Sequence, residues 1–151
     1  MTTATYKTDF YAWTRQQAAL LQAEALEELD LPNLAEEIEA MGRSQKHRLE
    51  NRLRVLLMHL LKLAHQANYP TNSWLRTIRE QRRRIELLLR DSPSLYMELA
   101  DSLAYAYPRA RKDASLETEL AIGTFPDDCP WTIDQILDLD WLPGSSPRVQ
   151  G

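Results

Sequence analysis

The 151 residues include one cysteine, Cys129. A single thiol excludes an internal disulfide framework and a cysteine-based zinc site. Glycine is nearly as scarce, at four, and no two glycines lie close enough to form a loop that cradles phosphate. No apolar run approaches the roughly 20 residues that a membrane-spanning helix needs. The first residues, Met1-Thr-Thr-Ala-Thr-Tyr-Lys7, hold no apolar stretch behind a basic start. No secretory signal is therefore expected, and the cytoplasm is the expected location. Runs of β-branched residues are missing too, which leaves a sheet nothing to build on. The hydrophobic fraction, 44%, is enough at this length for one domain with its own core. That domain is expected over residues 1–143, with a mobile tail over 144–151 rich in Ser, Pro and Gly.

What the chain does have is helical periodicity. Asp9 precedes Phe10, Trp13, Gln17, Leu20 and Leu21, a stripe at spacings of three and four behind a capping carboxylate. A short helical piece is expected through Ala25, Leu26 and Leu29. From Leu34 the clearest stripe runs through Ile38, Met41, Leu49, Leu53, Leu56, Leu60 and Leu63, with Leu57 and Leu61 widening it. One helix over about residues 32–67 would span about 54 Å. Such a helix either bends near Gly42 or has its two halves covered by different partners. Residues 68–72 read as a turn around Pro70. Trp74, Ile78, Ile85 and Leu89 mark the next helix. Leu95, Leu99, Leu103 and Tyr107 mark another, with a kink expected from Pro108. Thr132 with Gln135 reads as a capping box for a short last helix. The expectation is an all-α bundle of about five helices, with Trp13, Leu34, Ile38, Leu53, Leu56, Leu60, Trp74, Ile78, Ile85, Leu99 and Leu103 in the core.

Charge is segregated. Residues 1–42 carry 2 basic and 8 acidic side chains, residues 43–90 carry 12 and 3, and residues 91–151 carry 4 and 11. A middle of +9 thus lies between flanks of −6 and −7. Arg76, Arg79, Arg82, Arg83 and Arg84 crowd one predicted helix and form a candidate anion- or nucleic-acid-binding face. The competing expectation is that acidic residues from 113 to 140 fold over these arginines.

Catalytic patterns are absent. His47, His59 and His65 have neither a histidine four residues away nor a glutamate three before, so no helical metal face is expected. His59 lies beside the Leu56, Leu60 and Leu63 stripe and is a candidate buried polar site, as a base or as a core histidine bonded to a neighbour. Glu36, Glu37 and Glu39 in an early helical turn oppose the dipole more simply than they do acid–base work. Cys129 sits between Asp128 and Pro130, a setting that raises a thiol pKa. It reads as a small filler beside Trp131.

Several blocks in order carry a resemblance. They are Asp9-Phe-Tyr-Ala-Trp13, Leu31-Pro-Asn-Leu-Ala-Glu-Glu-Ile-Glu-Ala-Met-Gly42, Leu56-Leu-Met-His-Leu-Leu-Lys62, Ser73-Trp-Leu-Arg-Thr-Ile-Arg-Glu-Gln-Arg82, Ser92-Pro-Ser94 and Phe125-Pro-Asp-Asp-Cys-Pro-Trp131. Together they resemble the bacterial domain-of-unknown-function family numbered twenty-nine. The resemblance implies a compact all-helical domain and no activity, with Pro108 as a departure from the pattern.

The functional expectation is a protein-interaction or adaptor module without catalysis, metal or cofactor. A protein partner comes first, and a second copy of the chain is the other protein occupant. The alternative is a nucleic-acid-associated protein or a hydrolase, a nuclease among the options, with an unrecognised site. No membrane is involved in either.

Overall fold

The computed structural model describes residues 5–66 and 72–144. The expected turn at residues 68–71, Ala67 and the tail beyond Gly144 lie outside them. Five α-helices follow in order: α1 (Phe10–Gln22), α2 (Leu31–His65), α3 (Asn72–Asp91), α4 (Leu99–Thr118) and α5 (Ile133–Leu137). Short 3-10 turns occupy Leu26–Glu28, Pro93–Glu98 and Ile122–Thr124, and no strand occurs among the described residues. The all-α expectation holds. No helix is long and apolar enough to cross a membrane among the described residues.

Local chemistry explains the helix ends. The Asp9 carboxylate accepts from the Ala12 N–H and opens α1. The Thr132–Gln135 capping box forms in both directions. Helix α4 continues through Pro108 and stops at Thr118, where Glu119 adopts the left-handed conformation (φ 61°) usually left to glycine. Hydroxyls close this end: Thr118 Oγ1 donates to the Ala114 carbonyl, and Ser115 Oγ donates to the Leu120 carbonyl.

The chain forms two compact units, Met1–Ser44 and Gln45–Gly151, with the boundary inside α2. The helix is unbroken at Gly42. Among the described residues of the first unit the buried side chains are Trp13, at 2% exposure, and Gln17. Trp13 Nε1 donates to Asp30 Oδ2 at 3.0 Å, Asn33 Nδ2 donates to the same oxygen at 2.8 Å, and the Asp30 N–H donates to Gln17 Oε1 at 2.8 Å. The rings of Tyr6 and Phe10 pack against Trp13. This unit is thus held by one tryptophan and the polar groups that satisfy its N–H, an arrangement suited to a large ring with one donor.

The second unit contains the main core. Leu49, Leu53, Leu56, Leu57, Leu60 and Leu61 of α2 are fully buried with Ile78, Ile85 and Leu89 of α3, and Ala106, Tyr107, Ala110 and Ala114 of α4. Phe125 and Ile136 close it. The alanines on α4 let its backbone approach the leucine-rich side chains, because small residues fill less of the inter-helix space. The Tyr107 hydroxyl donates to the Pro126 carbonyl at 2.6 Å, and burial pushes its pKa up to about 12.

Two expected core positions differ. Leu34 is half-buried and Ile38 is 66% exposed, whereas Trp74 and Leu103 are half-buried and pack against the core. The reason for Ile38 is coverage. It shares the spacing of the buried leucines, but the described residues of its own unit supply only α1 and the Leu26–Glu28 turn beside α2. Leu53→Ala should therefore cost about 2–5 kcal/mol, whereas Ile38→Ser should stay within about 0.5 kcal/mol. Chemical denaturation followed by circular dichroism measures both.

Candidate interaction surfaces

The apolar residues of α3 fall at Ile78, Ile85 and Leu89, so positions 76, 79 and 83 point to the other side of the helix. Arg76, Arg79 and Arg83 are exposed there, and no carboxylate pairs with them among the described residues. Arg84 Nε meets Glu80 Oε1 at 2.6 Å in an exposed pair one turn apart, a contact worth a few tenths of a kcal/mol.

Arg82 stands apart from the other four. It is 2% exposed. Its Nε donates to the Ile136 carbonyl at 2.8 Å, and its Nη2 donates to that of Gln135 at 3.4 Å. These carbonyls belong to the last turn of α5, at the negative end of its dipole; that of Gln135 also accepts from the Asp138 N–H at 3.3 Å. The guanidinium fastens α5 to α3. Burial lowers its pKa, and Asp138 and Asp140 work in the opposite direction.

The acidic segment does fold against basic residues, mostly those of α2. Asp113 takes both Nε (2.5 Å) and Nη2 (2.9 Å) of Arg54, and Glu117 takes Lys62 Nζ at 2.8 Å. Lys62 also lies over the Trp74 ring. Intramolecular pairing thus accounts for Arg54, Lys62 and the setting of Arg82. It leaves Arg76, Arg79 and Arg83 open.

His59 is half-buried, and its Nδ1–H donates to the Val55 carbonyl at 2.9 Å. Burial pulls its pKa down. The bond is local to α2, one turn back. His47 Nδ1 pairs with Glu50 Oε1 at 2.9 Å. Cys129 Sγ donates to the Trp131 carbonyl, and burial raises its thiol pKa; the nearby acids invoked from the sequence are not the cause. Among the described residues no three His, Cys, Asp or Glu side chains are grouped to hold a metal ion.

The first unit presents a different surface. Leu31, Ile38 and Met41 are 62%, 66% and 69% exposed, with half-buried Leu34 between them. Positions 31, 34, 38 and 41 repeat at three and four residues and so form one stripe. Ala35 and Gly42 lie beside it on the helical wheel, and a side chain at Gly42 would meet open space. Glu39 flanks one side and Glu37 the other. The Tyr6 hydroxyl donates to Glu37, which raises the phenol pKa. A cavity of about 420 Å³ lies beside the Trp13–Asp30 network, lined by Tyr6, Gln16, Gln17 and Asn33 among others. Hydrogen bonds from Asn33 and Trp13 hold the Asp30 carboxyl below its ordinary pKa. Sequence spacing marks the stripe at once but assigns it to the core. The signal that separates the two cases is supply: among the described residues of this unit, the 13-residue α1 and the Leu26–Glu28 turn are the helical elements beside α2.

The described residues define an all-helical domain with an acidic, apolar face in one unit and an arginine face in the other. Residues 5–142 match the family described as Domain of unknown function DUF29, and the chain belongs to that family. No curated protein and no solved structure matches it.

Arg82→Gln should destabilise the protein by about 1.5–3 kcal/mol, the range for a hydrogen bond to a charged group. Arg79→Gln should leave stability within about 0.5 kcal/mol. Thermal denaturation of the two variants beside wild type makes the comparison.

Proposed function

We propose that this protein is a cytoplasmic interaction module whose first unit docks a partner's amphipathic helix along the Leu31–Ile38–Met41 stripe. One observation carries the reading: Leu31, Ile38 and Met41 fall on one repeat of three and four residues on α2 and are 62%, 66% and 69% exposed. Exposed apolar side chains in a contiguous row mark an interaction site more often than scattered ones do. A helix laid in such a row reads positions three and four apart.

The occupant is a helix with basic residues beside its apolar face. The first unit, residues 1–44, carries 3 basic and 8 acidic side chains, a net charge of −5. Two copies meeting through this face would bring −5 against −5, so a second copy of the chain is disfavoured. The apolar area offered, parts of four side chains, also falls well below the ~800 Å² per partner of a standard interface. A single short helix fits that area better than another folded domain.

Photocrosslinking from position 38 tests this. A benzoylphenylalanine at Ile38, installed in the host, should yield an adduct whose crosslinked segment in the partner is helical, amphipathic and basic. The adduct should disappear with Met41→Glu. An adduct with a second copy of the chain, an adduct with nucleic acid, or no adduct would overturn the reading.

A further inference from the structure

The second unit carries a groove between α2 and α3 that its own ion pairs leave open. Arg48 and Arg52 stand one turn apart on α2, and Arg84, Leu87, Leu88 and Asp91 line the opposite wall on α3, around a volume of about 230 Å³. Residues four apart on a helix place their side chains about 5–6 Å from one another, so two guanidinium forks can reach one small anion. Arg52 is held in place, its Nη1 donating to Gln81 Oε1 at 3.4 Å. No carboxylate pairs with Arg48 or Arg52 among the described residues. Arg84 is engaged by Glu80, a surface pair that a stronger anion displaces at little cost.

Two further features narrow the ligand. Leu87 is exposed and Leu88 half-buried, which gives the groove an apolar wall. Asp91 is the last residue of α3, where an acid sits against the helix dipole, and no cation pairs with it among the described residues. We propose that the groove binds a small organic phosphate. Its phosphoryl group lies between Arg48, Arg52 and Arg84, because planar guanidinium forks match phosphate oxygens in pairs. Its less polar body rests on Leu87 and Leu88, and its hydroxyl or amino group donates to Asp91. Asp91 is also what separates this ligand from a nucleic-acid strand: a continuous polyanion would have to run past an uncompensated carboxylate.

Calorimetric titration of the full chain with inorganic phosphate and with adenosine 5′-monophosphate tests the assignment. Saturable binding of both is expected, with the nucleotide tighter. Arg48→Gln with Arg52→Gln should weaken both by about tenfold or more, since each removed guanidinium takes at least one charge-assisted bond with it. Arg48→Gln alone, which breaks no side-chain hydrogen bond among the described residues, should weaken both in the same direction while the melting temperature stays that of wild type. Asp91→Asn should weaken the nucleotide and leave phosphate unchanged or tighter. Three outcomes overturn the proposal: no saturation up to about 10 mM, beyond which binding is too weak to be a site; saturation indifferent to the arginine changes; or an oligonucleotide that binds tighter than the mononucleotide and tighter still to Asp91→Asn.

Discussion

Leucines spaced three and four apart along α2 set what the remaining elements must do. At 49, 53, 56 and 60 they are removed from water completely, and each contributes about 1.5–3 kcal/mol by that burial. The apolar stripes of α3 and α4 exist to cover them. Ile78, Ile85 and Leu89 come from one helix, and a line of alanines with Tyr107 comes from the other. The irregular segment after α4 serves the same core: Phe125 is buried within it, and Ile136 of α5 is buried beyond it. In the first unit the described neighbours of α2 are the 13-residue α1 and one short turn, and Leu31, Ile38 and Met41 are left in water.

Charge is arranged around that core. The +9 of residues 43–90 divides into cations that work inside the fold and cations that do not. Arg54, Lys62 and Arg82 each meet an acceptor supplied by residues 113–140, and Arg82 does so from a buried position where an unpaired guanidinium would be costly. Arg76, Arg79, Arg83, Arg48 and Arg52 have no such acid among the described residues. The two expectations drawn from the charge pattern, an internally neutralised middle and an open basic surface, therefore apply to different residues of the same segment.

The sequence revealed elements with strong periodicity and strong caps. The α2 stripe, the Asp9 cap and the Thr132–Gln135 box are local patterns, and each is realised locally. It concealed whatever depends on a distant partner. Nothing in the run Arg76 to Arg84 says that position 82 meets the carbonyls of residues 135 and 136. Helical geometry fixes the angle of Arg82 on its helix and not the element that arrives there. The stop at Glu119 was hidden because a glutamate in the left-handed region is held by its surroundings, here two hydroxyls, and not by its own preference. Phe125 lay in a proline-rich stretch without periodicity, which gave no sign of burial. Ile38 misled for the opposite reason. Its periodicity was perfect, and only the count of covering helices argues against burial.

The central claim is that one seam on α2 is closed in the second unit and open in the first. Thiol accessibility in the native protein tests it most directly. In a Cys129→Ala background, the single variants Ile38→Cys, Met41→Cys, Leu53→Cys and Leu56→Cys are treated with a neutral thiol reagent under native conditions. The account predicts that the thiols at positions 38 and 41 react at the rate of an exposed helical cysteine, while those at positions 53 and 56 react only through global unfolding. Protection at 38 and 41 comparable to that at 53 and 56 would contradict it.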